Sequence, residues 1–69
     1  MTDHPVQSEL TPRIGNVARR ELALRGYTRY EHLTRVSARA LLDIHGVGPK
    51  AVRILTEELA ARGLALALD

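Results

Sequence analysis

The sequence predicts an all-α fold, a compact domain of four to five helices, and three features indicate it. Apolar residues recur at helical spacing around Ala18 and Leu22 and again from Ala51 to Leu59. An Arg-Gly pair follows both stretches, as is common where helices end. A Gly-x-Gly-Pro turn, residues 46–49, stands between two helical segments. These features predict helices joined by tight turns.

Length and composition restrict the class of protein. The chain has 69 residues and no cysteine, so it forms one small domain with neither disulfides nor a thiolate metal site. Its apolar runs are too short to span a membrane, and residues 1–7 do not resemble a signal peptide. We therefore expect a cytoplasmic protein without a membrane partner. Residues 1–10 are predicted to be a flexible N-terminal lead-in and residues 11–69 the folded domain.

The charge balance favours nucleic acid only weakly. Lys and Arg number 10 against 8 acidic residues, a formal net charge of +2, and only Lys50 is a lysine. Arginine is the better fork for phosphate, but a mildly basic chain is not diagnostic of a nucleic-acid partner. The only aromatic residues are Tyr27 and Tyr30, too few for the stacking platform of a single-strand binder. We expect both tyrosines to pack at the edge of the core.

Side chains that cap helix N-termini mark the predicted starts. Thr11 precedes Pro12, a residue suited to the first helical position, so a short turn is expected there. Thr28 and Glu31 have the spacing of a capping box, which predicts a short helix ending near residue 35. Ser37 is the next predicted cap, followed by two helical turns over residues 37–44.

Two longer helices are expected, at residues 16–25 and 49–62. The apolar stripe of the first comprises Val17, Ala18, Leu22 and Leu24. That of the second comprises Ala51, Val52, Leu55 and Leu59, with Ile54 at its edge. Gly26 and Gly63 are placed to end these helices in the left-handed conformation, with Tyr27 and Leu64 packing back. The alternating leucines of residues 64–68 allow either an extended segment across the core or partial disorder.

The Gly-x-Gly turn has a weaker copy earlier in the chain. Aligning residues 14–22 with residues 47–55 pairs Gly15 with Gly48 and Ala18 with Ala51. Two such copies predict two related turn-helix units that bury their faces against each other. Each turn exposes main-chain N–H groups at the start of a helix, where an anion binds well. We expect a Cβ to obstruct the main turn, so that Gly48→Val damages the fold.

The segment from Leu42 through His45-Gly46-Val47-Gly48-Pro49-Lys50-Ala51 to Leu55 resembles a helix-hairpin-helix motif. The order of elements over residues 10–68 is similar to the C-terminal domain of the bacterial RNA polymerase alpha subunit. That resemblance implies a bacterial, transcription-related module that binds duplex DNA from the minor-groove side without strong sequence readout. An Arg central to DNA contact in that family aligns with Val17, and a second polar position aligns with Arg20, a basic group that could substitute.

The candidate nucleic-acid-binding residues are the glycines of both turns and the cations beside them: Arg13, Gly15, Asn16, Arg19, Arg20, Gly46, Gly48, Lys50 and Arg53. The alternatives are a purely structural hairpin and a solvated basic face, on which Arg53 would pair with Glu57. A second function is then a protein-interaction domain accessory to transcription or DNA repair.

Catalytic and metal sites are not expected. The three histidines are scattered over different elements, without carboxylates at ligand spacing. We find no nucleophile with a base at a defensible spacing, and no phosphate-loop Lys-Ser/Thr follows the glycines. The sequence therefore predicts neither an enzyme nor a cofactor.

Overall fold

The computed structural model describes residues 8–68. Within them, every secondary-structure element is an α-helix or a 3₁₀ helix. The α-helices are α1 (Asn16–Leu24), α2 (Ala38–Leu42) and α3 (Pro49–Ala61). Two 3₁₀ helices, Pro12–Ile14 and Tyr30–Arg35, precede α1 and α2. The all-α prediction is confirmed for this part of the chain.

Two of the three predicted N-caps are confirmed. The Thr11 hydroxyl accepts a hydrogen bond from the Arg13 N–H at 3.2 Å, and the Ser37 hydroxyl accepts one from the Ala40 N–H at 3.1 Å. The predicted Thr28–Glu31 capping box is wrong. Instead, the N–H groups of Thr28 and its successor Arg29 both donate to Nδ1 of His32, at 3.3 Å each, and the 3₁₀ helix begins one residue later.

Both long helices end as predicted. Gly26 and Gly63 have φ of +88° and +74°, which only glycine adopts readily. The N–H of Tyr27 donates to the Leu22 carbonyl at 2.9 Å, and the N–H of Leu64 donates to the Leu59 carbonyl at 2.8 Å. These are the 6→1 hydrogen bonds of the Schellman motif. Both helix ends are therefore explained by the glycine and the residues next to it.

The core is a single cluster of buried apolar side chains to which every helix contributes. The predicted stripe on α3 is buried throughout, Ile54 included. On α1 only Ala18 and Leu22 are buried, whereas Val17 is 45% exposed and Leu24 73% exposed. The stripe predicted for α1 is therefore too wide, since this helix presents only one narrow face to the core.

The folded domain begins before residue 11. Leu10 lies in the segment that the sequence predicts to be a flexible lead-in, but it is 1% exposed and belongs to the core. The Glu9 N–H donates to the Thr28 carbonyl at 2.7 Å, which fastens the segment further. The domain boundary therefore lies earlier than predicted, and residues 1–7 of the predicted lead-in lie outside the described residues.

The C-terminal tail runs along the core as an extended segment. Leu64 and Leu66 are partly buried against the core, and the Ala67 N–H donates to the Val36 carbonyl at 3.0 Å. Leu68 points away and is 95% exposed. Of the two alternatives for this segment, the structure selects the extended one through residue 67.

Candidate nucleic-acid interface

The turn between α2 and α3 is held against α1. Gly46 has φ of +87°, and a Cβ built on it would lie 2.5 Å from Cγ1 of Val17. Val47, 4% exposed, reaches into the core, and its N–H donates to the Ile44 carbonyl at 3.1 Å. This turn therefore packs against both the core and the start of α1.

Gly48 has a different role from Gly46. Its φ of −106° is open to any residue, and a Cβ there would meet no atom within 4 Å. The expectation that a Cβ at Gly48 is obstructed is wrong, because only Gly46 approaches another chain segment. Gly48 is the N-cap of α3, and the N–H groups of Gly48, Lys50 and Ala51 donate to no residue within 8–68. All three residues also line one surface groove.

The start of α1 forms the second predicted amide cluster, with one change. The Gly15 N–H donates to the Pro12 carbonyl at 2.9 Å, so this amide is already occupied. The N–H groups of Asn16, Val17 and Ala18, by contrast, have no acceptor among the described residues. The cluster therefore begins at Asn16 instead of Gly15.

The two helix starts border one open groove of about 310 Å³. Its lining residues come from both turns and from the first turns of α3: Arg13, Ile14, Gly15, Gly46, Gly48, Pro49, Lys50, Ala51 and Ile54. They meet because α3 packs on the 3₁₀ helix Pro12–Ile14. Five of the nine candidate residues lie here, whereas Asn16, Arg19, Arg20 and Arg53 lie outside the lining.

Two cations line the groove, and they differ in whether a carboxylate pairs with them. Lys50 is exposed and forms no ion pair with the described residues. Arg13 is paired with two carboxylates of α3, 3.3 Å from Glu58 and 3.9 Å from Glu57. The sequence did not predict these pairs, because 45 residues separate Arg13 from Glu58 and no local pattern links them.

The other candidate cations lie outside the groove lining. Arg19 donates to the carbonyls of Leu10 and Ser8, at 3.0 Å each, and so fastens the N-terminal segment to α1. Arg20 and Arg53 are exposed, with no carboxylate partner among residues 8–68. The suggested pairing of Arg53 with Glu57 is absent, since Glu57 faces Arg13. The predicted basic residues therefore do not form one cluster, because only Arg13 and Lys50 line the groove.

Within residues 8–68, no group of metal-ligating side chains could hold an ion, and no helix has the length and apolarity to cross a membrane. Comparisons of the chain with protein-family models, curated proteins and solved structures found no match. The functional interpretation therefore depends on the groove and its charges.

Proposed function

We propose that this chain is a small, non-catalytic module that binds duplex DNA from the minor-groove side without strong sequence specificity. In this proposal α2, the turn and α3 act as a helix-hairpin-helix motif, and the start of α1 acts as its degenerate copy. The observation that carries the proposal is the shared groove, which is lined by Gly15 and Gly48, the N-caps of α1 and α3, together with Arg13 and Lys50.

The chemistry of this groove suits phosphate. Unpaired N–H groups at a helix start act together with the helix dipole, which places roughly half a positive charge there. The N-caps of α1 and α3, Gly15 and Gly48, both line the groove, and at the start of α3 the unpaired N–H groups belong to lining residues as well. Backbone donors and flexible cations position a protein on DNA but do not read bases. Salt-sensitive binding with little discrimination follows.

Exposed apolar side chains favour a second candidate function, an interaction domain for a transcription or repair protein. The large ones among the described residues are Val17, Leu24, Leu42 and Leu68. Leu24 is 73% exposed on α1, a helix that turns only a narrow face to the core. Under this alternative, the turn between α2 and α3 serves only as scaffold.

A fluorescence-anisotropy titration of a mixed-sequence duplex at about 50 and 200 mM salt tests the first proposal. With about three phosphate contacts, the affinity should fall roughly forty-fold between the two salt concentrations. A second duplex of unrelated sequence serves as the control and should bind within about threefold of the first. Absence of binding at the lower salt would exclude DNA binding by this chain and favour the protein-interaction alternative.

A further inference from the structure

Arg13 belongs to the groove and is also held by acidic residues of α3. Its Nη1 lies 3.3 Å from Oε2 of Glu58, and its Nη2 lies 3.9 Å from Oε1 of Glu57. Both carboxylates lie about one turn beyond Ile54, which lines the groove. A guanidinium that would serve phosphate is thus occupied by an internal anion.

The carboxylate of Glu58 is the fixed member of this pair. Its Oε1 accepts a hydrogen bond from Nη1 of Arg62 at 2.9 Å. The guanidinium carbon of Arg62 lies 4.0 Å from the centre of the Tyr30 ring, and Tyr30 is 2% exposed. The Glu58 side chain is 24% exposed, against 58% for Arg13. When the pair separates, Arg13 is therefore the side chain that moves.

We propose that Glu57 and Glu58 compete with DNA phosphate for Arg13 and so set the affinity of the groove below its maximum. This regulation rests on the proposed DNA-binding function. A carboxylate and a phosphate present similar oxygen pairs to the guanidinium fork, so one replaces the other without rearranging the backbone. Because ion pairs between exposed side chains are weak, phosphate displaces the carboxylates at a modest cost in affinity.

The test is a comparison of duplex affinities at about 50 mM salt. Glu58→Gln should bind about two- to fivefold more tightly than the wild-type chain, and Glu57→Gln more tightly by a smaller factor. Glu31→Gln is the matched control for Glu57→Gln. It removes the same charge from an exposed pair of nearly equal length, 3.8 Å to Arg29 against 3.9 Å to Arg13, outside the groove.

An Arg13→Gln background separates competition from the general effect of net charge. In that background, Glu58→Gln should change the affinity no more than Glu31→Gln does. Thermal denaturation of each variant checks that the loss of the Arg62 contact leaves the domain folded.

The possible failures are distinguishable. If every protein binds the duplex but the gain from Glu58→Gln persists without Arg13, or equals that of Glu31→Gln, competition for Arg13 is refuted and DNA binding stands. If neither the wild-type chain nor any variant binds at this salt, the DNA-binding proposal is refuted and this inference with it.

Discussion

At the scale of single residues, Gly46 and Gly48 show how one residue type serves two purposes. The sequence pattern treats them alike, as two glycines of one tight turn. In the structure, Gly46 has a positive φ and approaches Val17, whereas Gly48 is extended and open to solvent space. Gly46 therefore allows the left-handed backbone and the close approach to Val17 that the turn requires. Gly48 places no side chain over the start of α3.

Gly46→Ala should destabilise the domain. The left-handed backbone costs alanine about 1–2 kcal/mol, and the new Cβ must also displace Val17. For a domain of this size, each kcal/mol lowers the melting temperature by about 4–8 °C, which circular dichroism can follow. The matched control is Gly48→Ala, which should stay within about 1 kcal/mol of the wild-type stability.

The Val17→Ala background identifies the contact responsible. Gly46→Ala should cost less stability there, because the methyl group that meets the new Cβ is gone. An equal loss in both backgrounds would assign the whole effect to the backbone conformation. Equal losses for Gly46→Ala and Gly48→Ala in the natural background would contradict the distinction between the two glycines.

At the scale of secondary-structure elements, the first turn of α3 lacks the charge that would stabilise the helix. Its first turn contains no acidic residue and instead carries Lys50. A cation at a helix N-terminus opposes the dipole, whereas an acidic residue there would stabilise the helix. A positive charge beside unpaired N–H groups strengthens the attraction for an anion, and this supports the proposed phosphate contact.

Lys50→Glu should therefore separate stability from binding. The helix dipole favours the new carboxylate by about 0.3–1 kcal/mol, so the melting temperature should be unchanged or higher. The duplex affinity should fall at least about fivefold at low salt, because a phosphate contact becomes a repulsion. Anisotropy and thermal denaturation measure the two quantities.

Arg35→Glu is the control for this change. It makes the same charge reversal at an exposed residue outside the groove lining, and it should reduce the affinity by a clearly smaller factor. If Lys50→Glu leaves the duplex affinity unchanged, the turn between α2 and α3 is not part of the contact surface.

At the scale of the whole molecule, Tyr30 connects the two ends of the described chain. Its hydroxyl accepts a hydrogen bond from the Thr11 N–H at 2.9 Å, and its own N–H donates to Oε1 of Glu9 at 2.9 Å. Arg62, just after α3, covers its ring. The sequence predicts only a packing role at the edge of the core, but Tyr30 is fully inside and joins the N-terminal segment to the end of α3.

Tyr30→Phe should lower the free energy of unfolding by about 1–3 kcal/mol, because the partly buried Thr11 N–H loses its acceptor while the ring and its contact with Arg62 remain. Urea denaturation monitored by circular dichroism measures the change. Tyr27→Phe is the control, since the Tyr27 hydroxyl bonds to no residue within 8–68, and it should alter stability by less than about 0.5 kcal/mol. If both changes lower the free energy of unfolding equally, the hydrogen bond between Tyr30 and Thr11 does not stabilise the domain.

The helical class, the caps at Thr11 and Ser37, both glycine-terminated helix ends and the buried stripe of α3 are predictable from the sequence alone. These features depend on interactions within a few residues, which spacing and residue type reveal. The repeat also predicted that two turns would expose amides, and both turns border the groove.

Which charges lie at that groove depends on tertiary packing, which the sequence pattern does not reveal. Arg13 meets Glu58, Arg19 is fastened to the N-terminal segment, and Gly46 is seated on Val17. Each of these contacts joins residues at least nine positions apart in different segments, so its geometry depends on how the core packs. The local sequence pattern does not predict these contacts. An arginine on the surface has the same sequence signature whether packing places it beside a carboxylate, beside a carbonyl or in open solvent.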